Sequence, residues 1–139
     1  MSLSIRNQLA GTVTAVTTGE AMAVVKVRLE GGQDIVAAIT AEAVKDLGIT
    51  AGSAVTALVK ATEVAVATGP VDGISIRNQL AGTVADVAAG PAMASVKVDV
   101  AGGGLTAAIT ADAVDALGLA AGNSVVALIK ATEISLATV

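Results

Sequence analysis

A chain of 139 residues with neither cysteine nor histidine has no disulfides, no thiolate or imidazole metal sites and no histidine-dependent catalysis. A net charge of −4 and 0% aromatic residues argue against a nucleic-acid partner, which asks for a basic stripe or a stacking platform. The composition is 54% hydrophobic and 14% charged, yet Gly, Thr or a charge interrupts every apolar run before the roughly 20 residues of a membrane helix. The chain therefore reads as soluble, with no membrane partner. With no basic region and apolar core at Met1 to Arg6, it also reads as cytoplasmic.

The first polar cluster is Ser4-Ile5-Arg6-Asn7-Gln8-Leu9-Ala10-Gly11-Thr12-Val13, and the same ten letters return at Ser75 to Val84. A repeat of about 70 residues points to two small units that need association for stability. Gln8 to Val16, rich in Thr and Val, predicts a first strand, broken at Thr17-Thr18-Gly19-Glu20. Val25-Lys26-Val27-Arg28-Leu29-Glu30 alternates apolar and charged residues, the pattern of a strand with one face buried. Gly31-Gly32 allows a hairpin turn, and Ile35 to Thr40 returns as a third strand.

Thr40 then suits a helix N-cap, with Glu42 in the first turn and Gly48 as the terminating residue of a helix over Ala41 to Leu47. Val55 to Lys60 predicts a fourth strand and Thr62 to Thr68 a fifth. The fold class is all-β: two tandem OB-type five-stranded barrels, each with a short helix between strands 3 and 4. The first unit is set at residues 3–68, the connector at 69–73 and the second unit at 74–139. The second copy is one residue shorter at the hairpin, where Gly31-Gly32-Gln33-Asp34 faces Gly102-Gly103-Gly104.

Between the copies, residues 14–36 and 85–106 have drifted, whereas Ser-Ile-Arg-Asn-Gln, Ala38-Ile39-Thr40 with Ala108-Ile109-Thr110, and Lys-Ala-Thr-Glu at Lys60 and Lys130 agree letter for letter. Lys26 and Lys97 sit on the wet face of an alternating strand and read as solubilising. Arg6 and Lys60 instead interrupt apolar neighbourhoods at strand ends, where an anion could be held. A tetrahedral dianion without a proton only accepts hydrogen bonds, so its site needs donors. Ser4, Arg6, Thr40, Lys60 and the N–H of Ala61 qualify, and the helix start at Thr40 adds a favourable dipole. Glu63 and Glu133 have to point away. Plainer readings stay open: Arg6 and Lys60 in interface salt bridges, Thr40 as a cap alone, Asn7 and Gln8 bonding backbone at the strand start, Met22 and Met93 filling apolar gaps.

The repeated Ser-Ile-Arg-Asn-Gln-Leu-Ala-Gly-Thr-Val, the Gly-Gly hairpin, Ala-Ile-Thr-Ala-Glu-Ala-Val-x-x-Leu-Gly-Ile and the closing Val-Lys-Ala-Thr-Glu-Val resemble the molybdenum-pterin-binding (Mop) or molbindin family, over nearly the whole chain. The resemblance implies tandem domains that bind molybdate or tungstate between barrels. It also implies a ring of about six barrels, hence a homotrimer of two-unit chains. Carried over, Ser4 and Arg6 meet the oxyanion from one barrel and Thr40, Lys60 and Ala61 from another. In the second copy these are Ser75 and Arg77, with Thr110, Lys130 and Ala131. The expected ligand is the oxyanion, with no cofactor and no direct protein ligation of a metal.

Two departures accompany the resemblance. Ala43 and Ala113 stand where relatives can carry a further hydroxyl, so one side-chain donor is missing. Met22 and Met93 replace an asparagine belonging to a second kind of site on the trimer axis, and cannot donate. No paired carboxylates, activated nucleophile or phosphate loop is present, which points to storage or homeostasis of molybdenum rather than catalysis. The rivals are a molybdate-responsive regulatory module acting on a partner protein and a purely structural self-assembling barrel.

Overall fold

Val25, Val27 and Leu29 are buried while Lys26 and Arg28 are exposed, so the alternation of this stretch resolves into one wet and one buried face. The computed structural model describes residues 2–139. The first copy supplies β1 (Asn7–Thr18), β2 (Met22–Leu29), β3 (Asp34–Thr40), α1 (Ala41–Leu47), β4 (Ala54–Val59) and β5 (Ala65–Ala67). The second supplies β6 (Asn78–Ala89), β7 (Met93–Val100), β8 (Gly103–Thr110), α2 (Ala111–Leu117), β9 (Ser124–Ile129) and β10 (Ser135–Thr138). The protein is mostly sheet, arranged as two curled antiparallel sheets of five strands, with one short helix after the third strand of each copy.

The strand orders are β10-β4-β1-β2-β3 and β5-β9-β6-β7-β8. Each closing strand therefore belongs to the sheet built by the other copy. β5 pairs with β9 through Ala65↔Leu128, and β10 pairs with β4 through Ser135↔Leu58. The repeat in the sequence and the sheet in space thus differ by one strand. The predicted fifth strand over Thr62 to Thr68 is shortened to Ala65–Ala67. Thr62 and Glu63 instead form a single 3-10 turn at Ala61–Glu63, closed by Glu63 N–H to the Lys60 carbonyl at 2.9 Å. The chain needs this turn to leave one sheet for the other.

β1 is long because it serves two partners. Asn7 to Thr12 pair with β4, Gly11 to Thr18 with β2, and a bulge between Val13 and Ala15 coils the strand between them. The helix forms as read: the Thr40 Oγ1 accepts from Ala43 N–H at 3.0 Å, and Gly48 ends the helix at φ 64°. The second copy repeats both features at Thr110 and Gly118.

One core cluster runs through both copies, joining Val13, Val25, Val27 and Ile35 to Val84, Val96, Val98 and Leu105. Burial of each such side chain contributes about 1.5–3 kcal/mol. Two buried amides fasten the copies together. Asn7 Nδ2 donates to the Thr106 carbonyl at 2.8 Å while its Oδ1 accepts from Thr106 N–H at 2.7 Å, and Asn78 makes the same pair of bonds to Val36. Met22 and Met93 do not fill apolar gaps as the composition led us to expect. They open β2 and β7 on the outer face, 47% and 49% exposed, across from Thr40 and Thr110.

Candidate oxyanion site

The β1–β4 register fixes the edge on which the donors meet. Asn7 pairs with Val59, so the next residues outward are Arg6 and Lys60. Ser4, Arg6, Lys60 and Ala61, with Ile5 and Thr62, line one open groove of about 240 Å³. Serine and threonine hydroxyls, a guanidinium, an ammonium and the start of a 3-10 turn face this space, and no carboxylate lines it. Ala61 opens the turn, where the first N–H groups have no partner within it. Arg6 is exposed and its guanidinium lies along its own chain, with Nη2 donating to the Leu3 carbonyl at 2.9 Å and Nε to the Ser4 carbonyl at 3.3 Å.

Lys60 and Ala61 stand beside Ser4 and Arg6 on the same edge, because antiparallel pairing of β1 with β4 sets them there. Thr40 lies elsewhere, at the far end of β3. In the second copy Asn78 pairs with Ile129, which sets Arg77 next to Lys130 in the same way. Lys130 lines a cavity with Ile76, Thr62 and Glu63. The turn Ala61–Glu63 packs against β8 and the turn Ala131–Glu133 against β3. Thr110, which ends β8, is therefore carried toward the first copy's turn and Thr40 toward the second's.

Thr40 and Thr110 are caps, and this leaves their ligand chemistry intact. Each hydroxyl oxygen accepts one backbone N–H, while its own proton stays available to donate. Gln8 and Gln79 bond the carbonyls of Ile5 and Ile76 at 3.2 Å, holding the segments that carry Arg6 and Arg77. Thr62 is a groove residue that the reading of the sequence passed over, although Lys-Ala-Thr-Glu is identical in both copies. Glu63 and Glu133 stay out of the donor groove but are half-buried beside the lysines. Elsewhere, on the β2–β3 hairpin, the Arg28 guanidinium holds the Asp34 carboxyl below the ordinary carboxylate value through a 2.7 Å hydrogen bond.

The TOBE domain family matches residues 3–66 and 74–136. The chain is 39% identical over 139 residues to the molybdenum transport protein ModE of Herbaspirillum seropedicae, covering 99% of this chain and 52% of that one. It is 40% identical over 139 residues to the molybdenum-pterin-binding protein MopA of Rhodobacter capsulatus, covering 99% and 52%. Over 64 residues it is 41% identical to molybdenum-pterin-binding protein 3 of Clostridium pasteurianum, covering 46% of this chain and 94% of that one. The chain thus spans about half the length of the ModE and MopA relatives it matches. Among solved structures, the cytoplasmic molybdate-binding protein ModG with molybdate bound superposes with a TM-score of 0.97 at 38% identity, covering 100% of both chains. With one family matched twice along the chain and the whole fold shared with ModG, the chain belongs to the molbindin family and carries its TOBE domain in tandem.

Proposed function

We propose that this protein binds molybdate or tungstate at the strand-start edges of its two sheets and serves as an intracellular store or buffer of the oxyanion. The observation that carries the reading is the groove in which Ser4, Arg6, Lys60 and Ala61 come together without a carboxylate. Such a donor-only surface matches an anion that only accepts hydrogen bonds. Arg77, Lys130, Ser75 and Ala131 form the second edge, and Thr110 and Thr40 bring hydroxyls toward the first and second turns. The molybdate held by ModG, whose fold this chain shares, supports the same ligand.

Both edges are open and exposed, so further donors come from neighbouring chains, in a trimer of two-unit chains. Residues 3–68 and 74–139 are then the two domains in sequence, with closing strands exchanged in space. The role is binding rather than catalysis. We place the protein in the cytoplasm, the compartment given for ModG; no helix is long and apolar enough to cross a membrane. A second reading has its own support: the same two-unit segment lies within longer ModE relatives, as expected for a molybdate-sensing module acting on a partner.

The test is calorimetric titration with molybdate against excess sulfate, for the parent and for Arg6→Ala with Arg77→Ala. Saturable heat in the parent, lost in the double variant while light scattering shows the same oligomer, is the expected result. A double variant that binds like the parent removes the arginines from the site. A silent parent with its oligomer intact favours the purely structural barrel.

A further inference from the structure

Lys60 borders two cavities. One is the donor groove; the other, about 160 Å³, holds Lys60 together with Glu63 and Glu133. The second copy repeats this arrangement in a cavity of about 260 Å³ that holds Lys130 with the same two glutamates. The cavities are counterparts: Ile5 and Leu58 line the first where Ile76 and Leu128 line the second. Each lysine therefore shares a cavity with one glutamate of its own copy and one of the other, at separations beyond a direct ion pair, and no other charged side chain lines either space. Both glutamates are half-buried, carried in by the 3-10 turns through which the chain changes sheets.

We infer that Glu63 and Glu133 are a shared internal counter-anion, competing with the bound oxyanion for Lys60 and Lys130 and keeping its affinity low enough for release. The inference rests on the oxyanion reading above. A carboxylate has no proton to offer a fully deprotonated oxyanion, so its direct effect on that ligand is repulsion. At half-buried positions this repulsion is screened less than between exposed groups. A lysine ammonium on its flexible stem can turn to either side. The carboxylates act across the cavity without closing an ion pair: they draw the lysines away from the groove and repel the oxyanion that enters it. Because both glutamates line both cavities, each one bears on both sites of the chain.

The experiment is molybdate titration of the intact oligomer for the parent, Glu63→Gln with Glu133→Gln, the charge-conserving Glu63→Asp with Glu133→Asp, and Asp99→Asn, on the exposed face of the second hairpin, as a control. The Gln pair is expected to bind about tenfold more tightly with slower release, since two like charges leave the neighbourhood of a dianion. The Asp pair stays within a few-fold of the parent, and Asp99→Asn matches it. Either single Gln variant tightens both sites, which keeps the test open if the double variant folds poorly. A parent that binds alongside a Gln pair that binds equally or more weakly overturns the counter-anion and leaves the oxyanion reading standing. A parent that does not bind overturns both.

Discussion

The two copies of this chain are identical at their strand starts and divergent in their hairpins, and the structure shows what each region is asked to do. Asn7 and Asn78 reach across to Thr106 and Val36 on the third strand of the opposite copy, each making two bonds from a nearly fully buried amide. Arg6 and Arg77 follow from the same register. A change at the strand start disturbs a junction and an edge together. The hairpins have only to alternate. Lys26 faces Val36 where Lys97 faces Thr106, donating to its hydroxyl at 3.0 Å, and both strands stay buried on one side. The side chains that fasten the copies are identical in both, their partners offer only backbone, and the exposed faces of the hairpins have drifted.

The largest effect expected from breaking this contrast comes at the amides. Replacing Asn7 or Asn78 with Ala leaves a part-buried backbone N–H and C=O of the other copy without their amide partner. A group stranded this way costs about 1–3 kcal/mol. Each single variant should lower the denaturant midpoint by a corresponding amount, and the pair should cost more than either. Substitution of Lys26 or Lys97 by Gln, on the drifted hairpin, should leave the midpoint within error. A pair of Asn variants as stable as the parent would remove the junction from the account of why these letters repeat.

Much of this was legible from the residues. Thr40 and Gly48 bound the helix because a hydroxyl cap and a left-handed glycine are local requirements, met by a few neighbouring atoms. Val25 to Leu29 declared their buried face for the same reason. Exchange of β5 and β10 was not legible, since Val64-Ala65-Val66-Ala67 reads as a strand whichever sheet receives it, and register across copies is a matter of tertiary geometry. At the site, the donor types Ser4, Arg6, Lys60 and Ala61 could be chosen from chemistry. That they stand side by side depended on the pairing of Asn7 with Val59, which no spacing in the sequence reveals. Met22 and Met93 were misread because an apolar residue opening a strand has no alternation before it to fix its side.

An intermediate effect is expected where the hairpins themselves touch. A methyl group on Gly31 would lie 2.0 Å from the Ala101 carbonyl oxygen, whereas one on Gly103 meets nothing within 4 Å. Gly31→Ala should therefore force the two hairpin tips apart, at about 1–3 kcal/mol for the overpacking, while Gly103→Ala should be neutral or slightly stabilising. Thermal melts of the two variants side by side would show whether the tips are a true contact. Equal melting temperatures would mean that they part freely.

The smallest effect belongs to the ion pair found only in the first hairpin. Arg28 grips Asp34 through Nε to Oδ1 at 2.7 Å and Nη2 to Oδ2 at 3.2 Å, with the side chains 58% and 57% exposed. The hydrogen bond from Arg28, aided by the charges of Arg28 and Lys26, holds the Asp34 carboxyl below its ordinary 3.8. A carboxylate whose folded pKa is depressed contributes stability above its unfolded value and loses it as pH falls through the folded one. Asp34→Asn should thus melt slightly below the parent at neutral pH, by about 2 °C or less for so exposed a pair. The two curves should converge as the pH drops below 3.8 and the parent's carboxylate is protonated. High salt should bring them together at neutral pH as well, because exposed charges are screened. In the second hairpin Asp99 stands across from Gly104, so that copy keeps the same strand geometry with no such pair to lose. A gap between the melting curves that persisted in acid would mean that Asp34 acts through its shape at the turn rather than its charge.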